Sequence, residues 1–81
     1  MWSNEQLADA KQVLWNGSEN RDIQRVEDVV KDKKEKEIYL VVGDVTYTDP
    51  LYLKALEALV NDGKFSKTGC EDGRETYKRA S

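Results

Sequence analysis

Three places in this sequence carry side chains that could do covalent or acid–base chemistry: the single cysteine, Cys70, and the adjacent carboxylates Glu27-Asp28 and Glu71-Asp72. Cys70 has Lys67 and Arg74 close by in sequence, and cations of that kind lower a thiol's pKa. Standing alone in a glycine-bounded polar stretch, it reads as an incidental exposed thiol. The carboxylate pairs could share a proton or hold a hard cation. Each lies among other charges with no apolar surround to enclose it, so they read as solvated acids. The chain has no histidine, which removes imidazole-based triads and the common histidine-containing zinc sites. One cysteine cannot build a tetrathiolate centre. Glycines 17, 43, 63, 69 and 73 are placed as turns and caps, not as a phosphate-cradling loop. The expectation is a protein that is not an enzyme and needs no cofactor and no metal.

The 81 residues are enough for one small domain, 1–81, with a modest core. Charged residues make up 36% and hydrophobic ones 38%, yet the apolar residues fall in periodic runs, as in a folded chain. Net charge is −3. Residues 1–37 hold seven basic and nine acidic side chains, residues 38–62 one and four, and residues 63–81 five and three. Only the last segment leans basic. No apolar run approaches the roughly 20 residues that span a bilayer, and residues 1–6 lack the pattern of a signal peptide. With a lone cysteine, these features lead us to expect a cytoplasmic protein with no membrane association. Asn16-Gly17-Ser18 matches a glycosylation sequon, read here as coincidence.

The elements that must position any site are legible in part. Ser3 and Gln6 form a capping-box pattern, and Leu7, Ala10 and Leu14 recur at helical spacing up to Gly17, a residue suited to a left-handed stop. This predicts a helix over about 4–15. Ile23, Val26 and Val30, at i, i+3 and i+7, predict a second helix capped by Ser18 or Asn20. The charged run Lys31–Glu37 then forms its solvated end or a docking patch. Ile38–Val42 reads as a strand covered on both faces. Gly43-Asp44 either turns it into a hairpin with Val45–Thr48, in a type II′ turn, or begins a connector. Thr48-Asp49-Pro50 opens a helix whose wide apolar face, Tyr52, Leu53, Leu56, Leu59 and Val60, makes it the core organiser, and Asp62-Gly63 ends it. Lys64–Thr68 and Arg74–Arg79 alternate as two half-buried strands, with Phe65 and Tyr77 inward and residues 69–73 as the tip.

From Asp49 onward the pattern resembles the C-terminal half of a winged helix-turn-helix domain. The residues that carry it are Ala55-Leu56-Glu57-Ala58-Leu59-Val60, then Asn61-Asp62-Gly63-Lys64-Phe65, then Gly73-Arg74-Glu75-Thr76-Tyr77. The resemblance covers about 33 residues. The elements read in order α-α-β(β)-α-β-β, an α+β chain, and the resemblance implies a small winged-helix-like domain in which 49–62 is the recognition helix and the C-terminal β-hairpin the wing. On that reading Lys64, Lys67, Arg74, Lys78 and Arg79 are the wing contacts to a partner or DNA, and Tyr47, Thr48, Tyr52 and Lys54 the helix contacts. Residues 38–48, however, read as strand and connector where such domains have another helix. The recognition helix would also set Asp49, Glu57 and Asp62 against Lys54 alone, and DNA affinity rests on neutralised phosphates.

The function expected from the sequence is therefore a small non-catalytic regulatory or adaptor protein that acts by binding another protein. Small acidic inhibitors encoded by phages and mobile elements are of this type. The contacts would come from the basic hairpin or from the Trp2 end of the first helix, because aromatics and arginine anchor interfaces. The alternative is a winged-helix DNA-binding transcriptional regulator. A homodimer would serve either.

Overall fold

In the computed structural model, which describes residues 2–30 and 35–80, the order is α1 (Asn4–Gly17), β1 (Ile23–Val30), β2 (Glu35–Val42), β3 (Val45–Tyr47), α2 (Pro50–Asn61), β4 (Phe65–Glu71) and β5 (Arg74–Arg79). The protein is thus a small α+β domain in which two helices accompany a five-stranded antiparallel sheet ordered β3-β2-β1-β5-β4.

The helix starts follow the sequence. The Ser3 hydroxyl accepts from the Gln6 N–H at 3.1 Å while the Gln6 side chain accepts from the Ser3 N–H at 2.9 Å, a closed capping box. Asp49 caps α2 by accepting from the Leu51 N–H at 2.9 Å, with Pro50 at the first helical position. Gly17 does not supply a left-handed stop: α1 ends on Ser18, and Asn20 takes the positive φ of 63°.

The second helix expected after Ser18 is instead strand β1. Ile23, Val26, Val29 and Val30 are all β-branched, and such side chains lose rotamer freedom in a helix and pack well on a pleated sheet. The charged run is corrected with it, since Glu35, Lys36 and Glu37 open β2 and are not a helix end; residues 31–34 lie outside the described residues. The observed order is therefore α-β-β-β-α-β-β. At Gly43 the hairpin alternative is the one adopted. Val42 pairs with Val45 and Gly43 has φ of 60°, as the first central position of a type II′ turn requires. The β4–β5 tip is tighter than expected. β4 runs on to Glu71 through a bulge between Lys67 and Gly69, and Asp72 and Gly73, with φ of 47° and 79°, make a two-residue turn of the type that needs positive φ at both positions.

Both helices pack on one face of the sheet. The core joins Ala10 and Leu14 of α1, Ala55, Leu56 and Leu59 of α2, and Ile23, Leu40, Val42 and Phe65 of the strands. Trp15, Tyr47, Tyr52 and Tyr77 border it, with Trp15 edge-on to Phe65 at 5.7 Å. Among the described residues no helix lies over the opposite face. Val26 points there and is still only 1% exposed, because its cross-strand neighbours Tyr39 and Arg74 flank it. Their heads are fixed by hydrogen bonds from the Tyr39 hydroxyl to Asp28 (2.7 Å) and from Arg74 Nη1 to Gln24 (2.8 Å). A polar layer thus covers the centre of the bare face.

Candidate functional site: a groove between the second helix and the sheet

The residues singled out as wing and helix contacts do not form one surface. Strand alternation puts Arg74, Thr76 and Lys78 on the bare face, and Tyr77 and Arg79 on the helix face. Arg79 is engaged inside the fold. Its guanidinium lies 4.0 Å from the Trp15 ring centroid, and it donates from Nε to the Ser18 hydroxyl at 3.2 Å and from Nη2 to the Trp15 carbonyl. It caps the end of α1 and is not an outward-facing contact. Lys67 lies 4.0 Å from Glu75. Lys64 lines a shallow surface depression with Lys11, Gln12 and Trp15. Arg74 is held by Gln24 yet exposed, as are Lys64, Lys67 and Lys78, so of the expected wing cations Arg79 is the one drawn into the fold.

The helix set is divided too. Tyr47 and Tyr52 pack with ring centroids 4.5 Å apart and planes tilted by 40° at the core border. Lys54 is exposed, 4.0 Å from Glu57, and Thr48 is exposed where β3 ends. Cys70 is exposed, but on β4 and not at the hairpin tip. Among the described residues no three His, Cys, Asp or Glu side chains are grouped as metal ligands, and no helix is long and apolar enough to cross a membrane.

One feature that the sequence did not mark is a groove of about 220 Å³ beside α2. The broad apolar face of α2 exceeds what the sheet covers, so Leu53, Leu56 and Val60 give the groove an apolar lining, while Arg25, Glu57, Asn61 and Tyr77 form its polar part. Behind it, Glu75 gathers three partners: the Tyr77 hydroxyl donates to it at 2.6 Å, Arg25 lies 3.8 Å away and Lys67 4.0 Å. The Tyr77 hydrogen bond, helped by the two cations, holds the Glu75 carboxyl below the usual range. Burial, then the bond to Glu75, pushes the Tyr77 phenol up to about 12. Tyr39 on the other face is likewise raised, first by its bond to Asp28. At Tyr77 the bond joins a neutral phenol to the ionised Glu75 carboxylate and holds that side of the groove in place. The groove thus combines an apolar floor with a charged, hydrogen-bonding rim.

No family model, curated protein or solved structure matches the chain.

Proposed function

We propose that this chain is a small non-catalytic regulator or adaptor that binds another protein through the groove beside α2. The observation that carries the reading is that groove: Leu53 and Val60 stay partly uncovered beside the buried Leu56, next to Arg25 and Glu57. It suits an aliphatic side chain of a partner flanked by residues of both charges. An inhibitor of the kind carried by phages and mobile elements would use such a surface, and a homodimer could use it too.

The test is affinity capture from the native host with the wild-type chain and with Leu53→Lys/Val60→Lys, both first shown to melt cooperatively. A partner held by the wild type, lost by the groove variant and retained by Lys78→Glu supports the reading. Loss with Lys78→Glu alone moves the site to the bare face of the sheet.

The winged-helix DNA-binding regulator is the second proposal, and one observation favours it: Arg74 and Lys78 occupy alternate positions of β5 on the bare face. Against it, α2 packs on the other side of the sheet, and the bare face also carries Asp28, Glu35, Glu37 and Glu71. A duplex gel shift titrated with salt separates the two proposals, because binding that falls steeply with salt supports the DNA reading.

A further inference from the structure

β2 is eight residues long, but β3 pairs only with Leu40, Val41 and Val42. The chain leaves the lane at Thr48 to cap α2, so Glu35 to Tyr39 have a strand on one side only, β1. The two-residue hairpin fixes which groups face the vacated lane. Val42 and Val45 close the turn as a hydrogen-bonded pair, and alternation along an antiparallel ladder then turns the N–H and C=O of Leu40, Ile38 and Lys36 toward the β3 side. Leu40 meets Tyr47 there. The groups of Ile38 and Lys36 have no backbone partner among the described residues. A groove of about 260 Å³ lined by Glu37, Ile38, Tyr39 and Thr48 occupies this lane.

The other edge of the sheet is protected. β4 carries a bulge at Thr68 with Lys67 beside it, and both devices discourage an added strand. The β2 edge has no bulge, though it carries Lys36, and the charges it shows on the bare face specify what would fit. Glu37 stands directly opposite Asp28 on the bare face, with Glu35 two positions along the same face. None of the three has a basic partner among the described residues, and like charges placed opposite one another are destabilising. The one lysine of this stretch, Lys36, points to the other face and pairs with Glu27 at 3.8 Å.

We infer that the vacant lane beside Lys36 and Ile38 accepts an extended basic segment of a partner protein, which continues the line of β3 as an added strand. Its main chain pairs with Lys36 and Ile38, its lysines or arginines lie against Glu35 and Glu37, and its alternate apolar side chains meet Ile38. The site is separate from the groove beside α2, so an adaptor could use both.

An alternating Lys-Val octapeptide, its Glu-Val counterpart, and the Lys-Val peptide N-methylated at alternate residues are titrated into the isotopically labelled full chain and followed by NMR and amide exchange. The Lys-Val peptide is expected to shift residues 35–39 and slow exchange at Lys36 and Ile38. The Glu-Val and N-methylated peptides should bind at least about tenfold more weakly, and Glu35→Lys/Glu37→Lys should weaken the Lys-Val peptide by about tenfold. No binding, equal binding of the N-methylated or Glu-Val peptide, or protection at residues 66–70 would overturn the inference. So would concentration-dependent protection of Lys36 and Ile38 in the free protein, which would make a second copy the occupant. Failure here leaves Leu53→Lys/Val60→Lys capture unaffected, and the reverse also holds.

Discussion

Tyr77 and Glu75 show how a single side chain joins stability to the groove. The Tyr77 phenol is pushed up to about 12, above its value in an unfolded chain. The stability it contributes is therefore complete below pH 10 and is lost as pH rises through 12. Glu75 has the opposite sign: its carboxyl is lowered, so its contribution is present above the ordinary carboxylate range and lost as pH falls through the depressed value. Stability measured against pH should fall at both ends, and Tyr77→Phe should flatten both limbs, which chemical denaturation at stepped pH will read. A second residue-scale prediction concerns Gly73. Its φ is 79°, its carbonyl accepts from the Glu27 N–H at 2.8 Å, and an added Cβ would lie 2.8 Å from the Glu27 carbonyl oxygen. Gly73→Ala should destabilise by about 1–3 kcal/mol, measurable as a lowered denaturation midpoint, because neither the backbone conformation nor the space accepts a methyl group. Arg79 marks where residue types stopped being informative. The sequence offered a basic residue on a hairpin, and nothing local indicated that Trp15 and Ser18, over 60 positions earlier, would engage it.

Among the elements, those with their own local signals were legible. Ser3 and Gln6 announced α1, Asp49-Pro50 announced α2, and Gly43-Asp44 offered the turn that β2 and β3 make. β1 was misread because Ile23, Val26 and Val30 satisfy a helical period by coincidence. In the strand, Ile23 and Val26 point to opposite faces, and both are buried: Ile23 beneath the helices, Val26 between Tyr39 and Arg74. With one buried apolar residue on each face and Gln24, Arg25, Glu27 and Asp28 around them, the strand gives no period-two alternation to read. The groove was half legible, since the width of α2's apolar face was plain while the extent of its cover depended on the sheet. Arg79 also yields the element-scale prediction, because it ties the end of β5 to the end of α1. Arg79→Ala removes a cation–π contact and two hydrogen bonds and should lower stability by about 1–3 kcal/mol. Amide exchange should speed up first in the last turn of α1, and Arg79→Lys should restore only part of the loss.

At the scale of the whole molecule, the core is one small cluster with little redundancy. Leu14 is fully buried at its centre, and Leu14→Ala should cost about 2–5 kcal/mol. That is a large fraction of the total for a domain of this size, so thermal denaturation should show the variant partly unfolded near physiological temperature. The sheet order β3-β2-β1-β5-β4 places β1, among the earliest strands in the chain, in the middle, with Ile23 to Val26 paired to Arg74 to Tyr77. Contacts that span some fifty residues are slow to form because a long loop must close first. Removing everything after Gly73 should leave β1 with a bare edge and β4 with no partner, and circular dichroism with sedimentation should find it unfolded or aggregated. The first three strands can assemble as a meander while the chain is still being made, but they wait for β5. On a ribosome, then, the native state is reached only after synthesis has run past Arg79, and the sheet order itself rejects chains cut short before that point.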